Sequence, residues 1–136
     1  TAKFFGTIAV MRNASKNDHE LQNSIIINKN DNIPCSITKQ YYTIEADQET
    51  VDCTITESGS AETDPHFVTK IWEGKLKLPP GRPADQKIDV TYSYDENQVM
   101  HCEFLDVASG KKEIVDLSMK SSDTETVADI DQFLVE

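Results

Sequence analysis

Long apolar runs are missing from this chain. No window reaches the length needed to span a bilayer as a helix, and no charged-then-apolar leader opens it. Basic residues are few, 13 Lys and Arg against 24 Asp and Glu, for a formal charge of −11. Such a surface repels phosphate backbones and anionic headgroups, so nucleic acid and membranes are poor partners and neutral or basic peptides better ones. The bland alternative is that the charge serves solubility alone. Cysteine is sparse as well: Cys35, Cys53 and Cys102 leave one thiol over in any disulfide scheme, and none forms a CxxC. Free thiols in a reducing, cytoplasmic setting are the simplest expectation. Apolar residues make up 38% of 136 positions, enough for one modest core in a thin two-layer arrangement. A Gly-rich phosphate loop is absent, so this chain alone is not expected to bind ATP. The first residue is Thr1, not methionine, which reads as a domain excised from a longer protein.

What is present is strand pattern. Phe4 to Met11 is apolar apart from Gly6 and Thr7, and Arg12 to Glu20 reads as a polar loop. Ile25 to Ile27, Ile37 to Ile44 and Val51 to Thr56 follow as strands. In the last, Val51, Cys53 and Ile55 share one face and Asp52, Thr54 and Thr56 the other. Glu57 to Pro65 has the composition of a surface loop. Phe67 to Leu78, interrupted by Gly74, suggests two short strands around a turn. The prolines of 79–83 bar helix and central strand. Ile88, Val90, Tyr92 and Tyr94 alternate with polar residues as a half-buried strand. Asp95 to Gln98 turns into Val99 to Leu105, and a turn over Asp106 to Lys112, with Gly110 suited to positive φ, leads to Ile114 to Met119. The expectation is an antiparallel β-sandwich over residues 1–120. Residues 121–136 differ: Ser122 to Glu125 fits a capping box, and Val127, Ile130, Phe133 and Leu134 fall on one face of a short C-terminal helix.

No catalytic constellation is evident. His19 and His66 fall in loop-like segments, and His101 occupies the polar face of its strand. Met100, Cys102 and Phe104 share the opposite face, which makes Cys102 a small core hydrophobe, not a nucleophile. Cys53, Cys102 and a histidine match no zinc template. The acidic clusters at 95–97 and 123–131 follow no calcium-loop pattern. Trp72 reads as core or as a loop anchor. Tyr41 and Tyr42, adjacent in a strand, must point to opposite faces.

The order strand, Lys29-Asn30-Asp31-Asn32-Ile33-Pro34, strand through Tyr41 and Tyr42, turn with Gln48, strand from Val51 is specific enough to name. With Ile88 to Tyr92 and the turn Asp106 to Lys111, it resembles the peptide-binding β-domain of DnaK-type chaperones, the seventy-kilodalton heat-shock family. The likeness runs from about Phe5 to Met119, and the terminal helix would match the opening of the family's lid. No chemistry is expected of this chain. The resemblance implies a heat-shock or stress chaperone that holds extended apolar segments of unfolded client proteins in a channel at one end of the sandwich. By position, Thr7, Ala9 and Val10 would form one wall and Tyr41, Tyr42 and Ile44 another. Val51, Cys53 and Ile88 would line a pocket for one apolar side chain, Gln48 would reach the peptide backbone, and Val10 and Ile44 would arch over the ligand. Implied partners are client peptides, a nucleotide-binding domain carrying ATP and Mg²⁺ elsewhere in the parent protein, and a J-domain co-chaperone.

Some features depart from the family. Pro83-Ala84-Asp85-Gln86 replaces an Arg-Gly-Met-Pro-like segment, removing the lid-latching arginine, with Arg82 one position away. The first loop is long, and Gln98 stands where the hairpin typically has glycine. Two other readings stay open: a scaffold of the same family with little peptide capture, and an unrelated β-sandwich docking or adhesion module.

Overall fold

The alternation Ile88, Val90, Tyr92, Tyr94 becomes, in a computed structural model describing residues 3–13 and 18–119, a strand with all four side chains buried. The strands are β1 (Phe4–Asn13), β2 (Asp18–Ile27), β3 (Cys35–Tyr42), β4 (Thr50–Ser58), β5 (Thr69–Lys77), β6 (Lys87–Tyr94), β7 (Val99–Asp106) and β8 (Lys112–Ser118). They form two four-stranded antiparallel sheets, ordered β2-β1-β4-β5 and β3-β6-β7-β8. Ile26, Ile27, Cys53, Ile55 and Leu76 of the first sheet meet Ile88, Val90, Tyr92, Met100, Cys102 and Phe104 of the second in one core. The sandwich expected from the alternation is therefore the architecture, and Met100, Cys102 and Phe104 face inward as the period of two requires. Among the described residues, no helix is long and apolar enough to cross a membrane.

Two local expectations need correction. The polar segment Arg12 to Glu20 is not simply a loop: β1 and β2 stay in register through Arg12↔His19 and Asn13↔Asp18. Cross-strand pairing carries a hairpin past the end of its apolar pattern, because main-chain bonds do not depend on side-chain polarity. Phe67 to Leu78 holds one strand, not two. Gly74 lies within β5 opposite Cys53, and an added Cβ there would meet the Trp72 indole at 2.5 Å. Its glycine makes room for that ring, which stacks on Phe104 at 6.0 Å. The loop after β4 lies at the surface, as its composition suggests, and is anchored from beneath. Asn23, itself buried, donates its main-chain N–H to Thr63 O at 2.7 Å and its amide to Glu62 O at 2.9 Å. The buried Thr56 hydroxyl donates to the Asn23 side chain at 2.5 Å. The helix expected from Ser122, with Val127, Ile130, Phe133 and Leu134, lies outside the described residues.

Two connections are sewn to each other. Thr43 N–H donates to Gln86 O and Asp85 N–H to Thr43 O, both at 2.9 Å, and Asp47 N–H to Arg82 O at 2.7 Å. Arg82 then grips the fully buried Asp106 with both terminal nitrogens, at 2.9 and 3.2 Å. Ser109 donates to the same carboxylate at 2.6 Å. A carboxylate removed from water needs such forked donors, and here they tie the proline-rich loop to the β7–β8 turn.

Candidate functional site

β1 and β4 are neighbours in the first sheet, yet their ladder stops after Phe4↔Ser58, Phe5↔Glu57 and Gly6↔Thr56. Both strands continue, β1 paired with β2 and β4 with β5. Where they part, a cavity of about 340 Å³ opens, near the low end of the roughly 300–1,000 Å³ typical of ligand pockets. Thr7 to Val10 form one side, and Thr50, Val51, Asp52 and Thr54 the other. Ile88, Val90 and Phe104 reach it from the second sheet, so the gap gives access to the apolar space between the sheets.

Main-chain groups face this gap. Ile8 N–H donates to Thr54 Oγ1 at 2.8 Å, and Thr54 O accepts from the Tyr92 hydroxyl at 3.1 Å. Asn23, opposite Ile8, sends its N–H the other way, to Thr63. By the two-residue period of a strand, Val10 and Asp52 repeat the orientations of Ile8 and Thr54 and present N–H and C=O to the gap. Apolar floor and main-chain rims together match an added extended strand with one side chain turned inward.

All ten positions marked in the sequence line this cavity except Cys53. Cys53 is fully buried in the core, where loss of solvent pushes its thiol up to about 12. Cys102 is pushed to the same value, also by burial, which disfavours the thiolate of both. Tyr41 packs partly against the core with its hydroxyl 2.8 Å from Ser24 Oγ, while Tyr42 is exposed and donates to Gln40 at 3.1 Å. Adjacent strand positions thus part to opposite sides while both touch the cavity. Gln48 is already employed. Its Oε1 accepts from Ile44 N–H at 3.0 Å and Glu45 N–H at 3.3 Å, and its Nε2 donates to Thr50 O at 2.8 Å. It shapes the turn that carries Ile44, and only one amide proton is left for anything else.

Several lining residues had no mark in the sequence. Val90 and Phe104 follow from Ile88 and Cys102 by strand parity and were legible. Leu21 depended on the unforeseen length of β2, and Lys70 and Glu73 on the single-strand form of β5. The charged rim is internally paired, Lys70 with Glu73 at 3.3 Å and Lys75 with Asp52 at 3.6 Å. Among the described residues, no three His, Cys, Asp or Glu side chains are placed to hold a metal ion. No protein-family model matches the chain, and no curated protein matches it.

Proposed function

We propose that this chain is a peptide-holding module: the substrate-binding sandwich of a DnaK-like chaperone, capturing extended apolar segments of client proteins. The observation that carries the reading is the early end of the β1–β4 ladder over a cavity with an apolar floor. A ligand strand would lie between the two rims and send one leucine-sized side chain toward Ile88, Val90 and Phe104. Burying that side chain contributes about 2 kcal/mol. Several main-chain hydrogen bonds at about 1 kcal/mol each bring the total to micromolar affinity. No covalent chemistry belongs to this reading, and ATP with Mg²⁺ would act through a separate domain of the parent protein, with a J-domain partner.

Fluorescence anisotropy with leucine-centred heptapeptides tests it. Micromolar binding that disappears when the central leucine becomes serine is the expected result. No binding to any peptide by the folded chain would reject peptide capture in favour of a scaffold role.

A further inference from the structure

The end of the β1–β4 ladder has a specific cause. Continued by two residues, it would pair Ile8 with Thr54, with Ile8 N–H donating to Thr54 O. Instead, Ile8 N–H goes to the Thr54 hydroxyl at 2.8 Å. The Tyr92 hydroxyl reaches across from the second sheet to Gly6 O at 2.8 Å and Thr54 O at 3.1 Å. The Thr7 and Thr54 hydroxyls lie 3.1 Å apart. All three side chains are buried. Ile8 N–H donates to the Thr54 hydroxyl, which shares a hydrogen bond with Thr7, while the Tyr92 hydroxyl turns its proton to the main-chain carbonyls. Side chains have thus taken the partners that the next rung of the ladder needs.

We infer that Tyr92 and Thr54 are positioning residues that terminate the β1–β4 ladder and hold the slot open, Tyr92 acting from the opposite sheet. The use of the slot rests on the peptide-holding reading; the termination does not. Burial of main-chain groups without partners is costly, so an open slot at this depth requires substitutes for the missing rungs. Removing them leaves Thr54 O and Ile8 N–H to find each other, and the ladder can advance toward Val10 and Asp52.

Amide hydrogen exchange on the peptide-free protein, comparing wild type with Tyr92→Phe and Thr54→Val, tests this. The Val10 and Asp52 amides should exchange at least about tenfold more slowly in both variants, against unchanged or faster exchange elsewhere, because only an advancing ladder protects them locally. Thr54→Ser, which keeps the hydroxyl, should exchange like wild type. Leucine-centred peptides should bind each closed variant at least about tenfold more weakly. Unchanged or faster exchange at both amides in a folded variant overturns the inference. If Tyr92→Phe fails to fold, Thr54→Val decides by the same criterion. Slowed amides in a protein whose wild type binds no peptide would uphold the ladder termination and defeat the peptide reading.

Discussion

Gln98 sits in the β6–β7 turn at φ +60, a left-handed conformation that glycine enters freely and a residue with Cβ does not. Its main chain is committed there, with its N–H donating to Asp95 O at 3.1 Å and its C=O accepting from Met119 at 2.8 Å. Gln98→Gly relieves a penalty of roughly 1–2 kcal/mol and loses roughly 0.5–1 kcal/mol to added chain entropy. A net gain of up to about 1.5 kcal/mol is expected, read as a higher urea midpoint at constant slope. Gly6 shows the opposite constraint. An added Cβ would meet Ser24 O at 2.3 Å, so the residue that ends the β1–β4 ladder is also one that no side chain can replace without moving β2. Val51 is half-buried beside the cavity. Val51→Phe should fill the slot, lowering leucine-peptide affinity at least about tenfold with little change in melting temperature. In a close-packed core the same change would cost about 1–3 kcal/mol. A sharp fall in melting temperature with unchanged affinity in the folded fraction would mean that Val51 is core and not cavity wall.

At the scale of elements, His101 of β7 joins β8 to the β6–β7 turn. Its Nδ1 lies 2.8 Å from Asp116 and its Nε2 2.9 Å from Asp95. Carboxylates only accept, so both contacts are hydrogen bonds only when the ring carries two protons. The hydrogen bond to Asp95, then that to Asp116, raises the His101 pKa above its ordinary value, and the bond from His101 lowers that of Asp95. A raised histidine pKa stabilises fully below the unfolded value near 6.5 and is lost as pH climbs through the folded value. The lowered Asp95 acts conversely, stabilising above its unfolded value of 3.8 and failing as pH falls through the folded one. The window is therefore mildly acidic. His101→Gln should lower the melting temperature more at about pH 5.5 than at about pH 9. An equal difference at both would show that the ring acts by packing alone. The sequence disclosed this strand and the outward face of His101 through alternation, but not the carboxylates, because Asp116 meets it only through the β7–β8 register. The same limit applies to the candidate site. Parity orders side chains within a strand, whereas the cavity depends on where two strands stop pairing. That is decided by Thr54 and Tyr92, separated by 38 positions in the chain.

For the molecule as a whole, the net charge is −11, while the charged rim of the cavity is already paired within itself. Exposed pairs such as Lys70–Glu73 and Lys75–Asp52 leave little local charge for a ligand to meet. The field that a peptide feels is then long-range, and such fields change encounter rates more than dissociation. Leucine-centred peptides flanked by Lys or Arg should associate about tenfold faster than those flanked by Asp or Glu at low salt. The difference should vanish near about 1 M salt, where the screening length falls to roughly 3 Å. Dissociation rates should differ little, since the apolar side chain and the main-chain bonds are common to both peptides. Stopped-flow fluorescence across a salt series measures both rates. A preference that survives high salt and resides in dissociation would mean that a bound cation displaces Lys75 from Asp52 or Lys70 from Glu73. Asp52→Asn and Glu73→Gln would then separate the two, because only the carboxylate in direct contact can slow the release of a basic peptide.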